Sequence, residues 1–196
     1  MFTGIIERMH TLKSIKEEGT NMHFELETDI ISELKVDQSI AHDGVCLTVT
    51  KIEEDSYWVT AVQETLEKTN LGSWQLGHQI NIERSMQMGG RLDGHMVQGH
   101  VDTIATVQSV EEREGSWIYH FSFDSEHAHL LVSKGSICIN GVSLTVVDVT
   151  ANSFSVTIIP YTYEHTGFKN FSEGQKVNLE FDIVGKYIAR YRELLK

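Results

Sequence analysis

Cys46 stands in Gly44-Val45-Cys46-Leu47-Thr48-Val49, and Ser143 stands in Gly141-Val142-Ser143-Leu144-Thr145-Val146. Side chains alternate between the two faces of a strand. Val45, Leu47 and Val49 then point one way, and Cys46 and Thr48 the other. Val142, Leu144 and Val146 repeat the apolar face, and Ser143 and Thr145 the polar one. The two polar faces differ by one atom type, sulfur in the first and oxygen in the second. Two equivalent binding sites have no need of that difference. An enzyme that holds two substrates in different roles has a use for it. An unpaired cysteine is also commonly a small buried hydrophobe, and the strand pattern leaves both readings of Cys46 open. Cys138, between Ile137 and Ile139, reads as core filler.

The second cluster is Gly94-His95-Met96-Val97-Gln98-Gly99-His100-Val101-Asp102. Its glycines permit close backbone approach, and its imidazoles can move protons near neutral pH. A metal site is the competing reading, but no CxxC, HExxH or third ligand at a recognised spacing accompanies the histidines. His127 and His129 form only a weak pair. No metal site is expected. No GxGxxG follows a strand and no P-loop is present, so no nucleotide cofactor is signalled either. Gly90-Arg91-Leu92-Asp93-Gly94 reads equally as a plain linker or a binding loop.

These residues lie on a repeated scaffold. DGVCLTVT at 43–50 and NGVSLTVV at 140–147 share five of eight positions at an offset of 97. The same offset aligns Gly77, Asn81 and Glu83 with Gly174, Asn178 and Glu180. It also aligns Thr65, Glu67 and Thr69 with Thr162, Glu164 and Thr166. Near the start the offset is 95, with MFTGIIE at 1–7 facing MVQGHVD at 96–102. A period this long suits a duplicated domain.

Each copy holds short β-branched and aromatic runs, such as His23 to Glu27, Tyr57 to Val62, Ile118 to Phe123 and Phe154 to Ile159. Turn signals at Gly19, Asp43-Gly44, Asn140-Gly141 and Asn152 separate them. About six short strands in each copy predict a small closed barrel, which removes exposed edges. Pro160 is expected at the end of a strand, where its missing N–H is tolerable. The tail differs. Ile183, Val184, Tyr187, Ile188, Tyr191, Leu194 and Leu195 recur at helical spacing, with Lys186, Arg190, Arg192 and Lys196 across the helix. This predicts an amphipathic helix starting near Gly185 that packs on its own barrels or makes an oligomer contact.

The chain has 196 residues, with 16 Lys+Arg against 28 Asp+Glu and a net charge of −12. Such a balance excludes binding driven by nucleic-acid phosphates or by an anionic membrane surface. No apolar run approaches the roughly 18 residues of a membrane span, and the N-terminus has no basic region or long apolar stretch. Two cysteines make no disulfide framework. A cytoplasmic protein is expected.

Taken together, MFTGIIE, GVCLTV, ETLEKTNLG at 64–72, GRLDGHMVQGHVD at 90–102, KGSICINGVSLTV at 134–146 and VNLEFD at 177–182 resemble the homotrimeric, α-type riboflavin synthase family over essentially the full chain. The resemblance implies an all-β fold of two tandem six-stranded Greek-key barrels plus a C-terminal α-helix. The expected domains are 1–93, 94–183 and a trimerisation helix at 184–196. It implies dismutation of two 6,7-dimethyl-8-ribityllumazine molecules to riboflavin and 5-amino-6-(D-ribitylamino)uracil, the last step of riboflavin biosynthesis, with no cofactor. The implied site holds two lumazines, between the N-barrel of one subunit and the C-barrel of its neighbour.

Carried over position by position, the first barrel's pocket would be lined by Gly4, Ile5, Ile6, Cys46, Leu47 and Thr48, and by a strand through Thr60, Ala61, Val62, Gln63, Glu64 and Thr65. The second would use Gly99, His100, Val101, Ser143, Leu144 and Thr145, and a strand through Thr157, Ile158, Ile159, Pro160, Tyr161 and Thr162. Lys134 would reach across the subunit boundary. Cys46, Ser39, His100, Ser143 and Asp182 match positions associated with activity, with His95 and His42 as weaker candidates. Asn140 stands where some members carry Asp and receives no acid–base role. Two alternatives stand beside this reading. One is a non-catalytic lumazine- or flavin-binding protein. The other, a flavin oxidoreductase barrel, would need a second nucleotide-binding domain.

Overall fold

The structure, a computed structural model, describes residues 1–195; Lys196, expected on the basic side of the tail helix, lies outside them. The first barrel comprises β1 (Arg8–Glu18), β2 (Asn21–Glu27), β3 (Ser39–His42), β4 (Val45–Ile52), β5 (Ser56–Ala61) and β6 (Gln79–Arg84). The second comprises β7 (Thr103–Arg113), β8 (Ser116–Ser122), β9 (Ser136–Ile139), β10 (Val142–Val149), β11 (Ser153–Ile158) and β12 (Lys176–Phe181). Both close in one order. The first runs β1-β2-β5-β4-β3-β6, and the second is the same cycle entered at another strand, β10-β11-β8-β7-β12-β9. The register slips at matching places, between Leu12 and Ser14 and between Val107 and Ser109. Such bulges add the local twist that closing a small barrel requires.

The alternation read from the sequence holds in β4. Val45, Leu47 and Val49 are buried in the first barrel's core, while Thr48 and Thr50 face outward. The strands expected to run on to Thr65 and Thr162 do not. They stop at Ala61 and Ile158, and two short helices follow, α1 (Gln63–Lys68) and α2 (Pro160–His165). Pro160 is therefore not a strand end. It opens α2, where the missing N–H is one that a helix leaves unpaired anyway. In α1 the four-residue pairs Gln63–Glu67 and Lys68–Glu64 support the helix. Leu66 turns back onto the core beneath.

The final helix, α3 (Ile183–Leu194), begins where Asp182 accepts a hydrogen bond from the Val184 N–H at 3.0 Å. Its Lys186 pairs with Asp102 at 2.6 Å. Tyr187, Ile188, Tyr191 and Leu194 remain 64–73% exposed.

The barrels meet around a local two-fold. The Asp43-Gly44 and Asn140-Gly141 turns abut so closely that a Cβ on Gly44 would lie 2.7 Å from the Gly141 nitrogen. Buried amides pin the contact. Asn81 Nδ2 donates to the Asn140 carbonyl at 2.9 Å, and Asn178 Nδ2 donates to the Asp43 carbonyl at 2.9 Å. Phe2, Ala41, Val97 and Cys138 fill the middle, with Cys46 at the edge.

Candidate active site

The strand registers set two parallel rows on the outer faces of the barrels. In the first barrel Glu83 pairs with Ala41, and Ala41 with Cys46. In the second Glu180 pairs with Cys138, and Cys138 with Ser143. A segment preceding each barrel's first strand lies between the rows. Glu83 accepts from the Thr3 N–H at 2.6 Å, the Thr3 hydroxyl at 2.7 Å and the Gly4 N–H at 2.9 Å. Glu180 accepts from the Gln98, Gly99 and His100 N–H groups at 2.6, 2.9 and 2.9 Å. Burial raises both carboxyls, and the N–H groups work against that rise.

Held this way, each arm crosses to the other barrel. The Ser143 N–H donates to the Gly4 carbonyl at 2.7 Å, and the Cys46 N–H donates to the Gly99 carbonyl at 2.9 Å. A Cβ on Gly4 (φ +77°) would lie 2.5 Å from the Ser143 Cβ, and one on Gly99 (φ +79°) 2.6 Å from the Cys46 Cβ. Only glycine fits either place. Ile6 packs on the second barrel's core and Val101 on the first barrel's. This corrects the expected grouping. Gly4, Ile5 and Ile6 accompany Ser143, while Gly99, His100 and Val101 accompany Cys46. A repeat alignment gives equivalence between positions but not which copy a crossing segment touches.

The two rows are not chemically alike. His95 Nδ1 lies 2.7 Å from the Ser143 hydroxyl, and the His95 N–H donates to the Thr3 carbonyl at 3.1 Å. His95 is buried, its Nε2 has no partner among the described residues, and burial lowers its pKa while the charge of Asp182 partly opposes this. The imidazole is thus held neutral and can accept a proton. Gly94 makes the approach possible, because a Cβ there would sit 2.0 Å from the Thr3 carbonyl.

Exposed and half-buried residues adjoin each row, on a surface called here the shelf of its barrel. On the first barrel Thr48 is exposed, Ser39 pairs beside it on β3, and Thr60 Oγ1 meets His23 Nδ1 at 2.9 Å. Val62, Gln63 and Glu64 are exposed at the start of α1, with Thr65 half-buried. On the second, Thr145, Thr157, Ile159, Pro160 and Tyr161 are exposed, with Leu144 and Thr162 half-buried. His100 is exposed at the rim of the first shelf. Leu47, Ala61 and Ile158 are 5%, 0% and 0% exposed, their side chains turned into the barrel cores. Asp182 caps α3, and Lys134 is exposed in a turn (φ 66°) without a side-chain partner among the described residues. His42 is fully buried in the first barrel's core and reaches no shelf.

Glu83 and Glu180 were not among the candidate residues, while Gly94 was read only for the close backbone approach it permits. The two glutamates were visible only as matched positions of the repeat, and an acidic residue inside Val-Asn-Leu-Glu reads as an outward strand position. A groove of about 550 Å³ between Leu130, Val132 and α3 is lined by Asp182 but by neither Cys46 nor Ser143.

Comparison with known proteins agrees with this architecture. The lumazine binding domain family matches twice, over residues 3–85 and 98–182. The riboflavin synthase of Bacillus subtilis (strain 168) is 38% identical over 192 residues, covering 97% of this chain and 89% of its own. That of Brucella abortus (strain 2308) is 36% identical over 100% of both chains. The yeast enzyme of Saccharomyces cerevisiae is 36% identical over 97% of this chain and 85% of its own. Among solved structures, LumP complexed with riboflavin superimposes with a TM-score of 0.86, at 21% identity over 92% of this chain and 99% of that one. With both copies matched and full-length likeness to enzymes of bacteria and yeast, the chain belongs to the riboflavin synthase family.

Proposed function

We propose that this chain transfers a four-carbon unit between two molecules of 6,7-dimethyl-8-ribityllumazine, giving riboflavin and 5-amino-6-(D-ribitylamino)uracil. The two products together contain every atom of the two substrates, so the reaction needs no outside oxidant or reductant. The observation that carries this reading is the pair of crossed rows, alike in backbone and unlike at Cys46 and at Ser143–His95. Two copies of one molecule need two similar shelves, and donor and acceptor roles need them to differ.

In this reading Cys46 supplies a thiol beside one lumazine as nucleophile. The Ser143–His95 pair takes up the proton lost from the other lumazine's 7-methyl group. His100, Ser39 and Asp182 act at the rims, and Lys134 reaches the neighbouring subunit's ligand. Holding the two rings in register supplies much of the rate enhancement. LumP has been solved in complex with 6,7-dimethyl-8-(1'-D-ribityl) lumazine and with riboflavin, which supports the same ligand class here.

The shelves lie open on a single chain. We infer a homotrimer in which the first barrel of one subunit faces the second barrel of its neighbour, with the exposed stripe of α3 as the contact. Residues 1–93 and 94–183 serve as the two lumazine-binding units and 184–196 as the assembly segment. The protein works in the cytoplasm; no described helix is long and apolar enough to cross a membrane. Mixing the purified chain with 6,7-dimethyl-8-ribityllumazine should yield one riboflavin per two lumazines consumed. Tight binding without product would replace this reading with a non-catalytic lumazine-binding protein.

A further inference from the structure

We propose that each buried carboxylate governs the ligand shelf of the opposite barrel: Glu180, on the second barrel, positions the arm that completes the first barrel's shelf, and Glu83, on the first, positions the arm that completes the second's. The inference rests on the two-shelf reading above and adds to it the residues that hold each shelf in shape.

The geometry is specific. Glu180 accepts three successive backbone N–H groups, and the last belongs to His100. Within that grip, the Gly99 carbonyl, between the gripped Gly99 and His100 N–H groups, receives the Cys46 N–H from the other barrel at 2.9 Å. Glu83 grips Thr3 and Gly4, and the Gly4 carbonyl receives the Ser143 N–H at 2.7 Å. In both places one end of an arm is fixed by charge-assisted bonds to its own barrel, and its glycine is fixed by one neutral bond to the other. Bonds to an ionised acceptor are roughly twice as strong as neutral ones, so the carboxylate is the firmer anchor. Neither carboxylate is ion-paired by a side chain within 4 Å among the described residues. Each is 2–4% exposed and covered by the arm it holds, so it cannot touch a ligand on the shelf. These are positioning residues, and the position they set lies across the barrel boundary.

Glutamine keeps the shape of the side chain but loses the charge and cannot accept three N–H groups equally. In Glu180→Gln, amide exchange at 98–100 should accelerate at least tenfold, with 3–4 unchanged. Glu83→Gln should do the reverse. Unchanged exchange at the gripped arm overturns the proposal without reference to any ligand. Site dependence is then read by riboflavin titration of the full chain, with one shelf filled by Thr48→Trp or Thr145→Trp. Glu180→Gln should weaken riboflavin binding at least tenfold when Thr145→Trp leaves only the first shelf, and by less than twofold when Thr48→Trp leaves only the second. Glu83→Gln should give the mirror image. Weakening of the same-barrel shelf, or of both shelves equally, overturns the crossed assignment. If a Gln variant fails to fold, the Asp variant, which keeps the charge on a shorter stem, should show the same crossed pattern. If neither tryptophan variant removes one equivalent of riboflavin from the unaltered chain, the two-shelf reading fails, while the exchange result still judges the clamp.

Discussion

His95 Nδ1 lies 2.7 Å from Ser143 Oγ, and Cys46, at the equivalent position of the other barrel, has no imidazole hydrogen-bonded to its side chain among the described residues. The duplication thus keeps its backbone symmetry and breaks its chemistry at one contact. The His95 pKa is lowered by burial from its ordinary 6.5. If His95 works as the base, the acid limb of turnover should fall below pH 6.5, because the imidazole stays neutral to lower pH than a free histidine. A profile of kcat against pH checks this. An acid limb at or above 6.5 that persists in His95→Gln would assign the limb to another group.

The thiol is the other half of the asymmetry. Cys46→Ser makes the first polar face read like the second, at nearly constant volume. Lumazine affinity should change less than threefold, while turnover should fall by about two orders of magnitude or more, since a hydroxyl is a far weaker nucleophile at neutral pH. Loss of kcat with binding kept marks an interaction made in the transition state. Ser143→Cys in the same chain should not restore activity, because His95 remains on that side. Near wild-type turnover for Cys46→Ser would reduce the thiol to packing.

Much of the architecture could be read from local pattern. Alternation in Val45 to Val49 placed Cys46 and Thr48 on one face, and the matched Asn81/Asn178 and Glu83/Glu180 positions disclosed the duplication. What local pattern could not carry was contact between distant segments. Gly4 and Ser143 are far apart in sequence and belong to different copies, so nothing near either shows that they touch. The helices α1 and α2 were missed for a different reason. Tyr57 to Val62 and Phe154 to Ile159 are strong strand formers, and the change of period comes only after Val62 and Ile159, in segments too short to show a helical repeat. His95 was ranked low because its role depends on Gly94, whose missing side chain lets the two barrels close.

Deleting residues 184–196 should leave both barrels folded, because no residue of α3 is buried, and should abolish the trimer proposed above and nearly all turnover. Light scattering with circular dichroism separates the two effects. Intact trimers after the deletion would move the assembly contact elsewhere.

Asp43 and Asn140 hold the same place in the two copies, each accepting a backbone N–H, from Asn81 at 2.9 Å and from Asn178 at 2.7 Å. Burial pushes the Asp43 carboxyl from 3.8 up to about 7. A raised acid pKa favours the folded state most below 3.8, and that advantage is lost as pH rises toward 7. Asp43→Asn should therefore flatten the stability profile across that interval and raise Tm by several degrees above pH 7. At about 1.4 kcal/mol per pH unit the gap is worth on the order of 4 kcal/mol. Thermal melts at pH 5 and pH 8 test it, and a variant less stable than the parent at pH 8 would show that the carboxylate is held ionised at no cost.

The first barrel also carries a polar chain that the second lacks. The Tyr57 hydroxyl meets His10 Nδ1 at 3.0 Å and His42 Nε2 at 2.9 Å, and His10 Nε2 meets Thr28 Oγ1 at 2.9 Å. The corresponding positions of the second barrel are Ala105, Ile139 and Phe154, all apolar and buried. Burial lowers the two histidines from 6.5 to about 4 and about 3. The unfolded chain takes up protons below 6.5 that the folded barrel refuses, so stability should fall as pH drops from 6.5 toward 4. The loss belongs to one barrel. At pH 5, core amides of β2 and β5 should exchange faster than those of β8 and β11. Copying the second barrel's choices with His10→Ala, His42→Ile and Tyr57→Phe together should move the acid unfolding midpoint to lower pH, with Thr28 still accepting the Ile30 N–H at 3.2 Å. Faster exchange in the second barrel, or an unchanged acid midpoint in the triple variant, would mean that acid lability arises elsewhere.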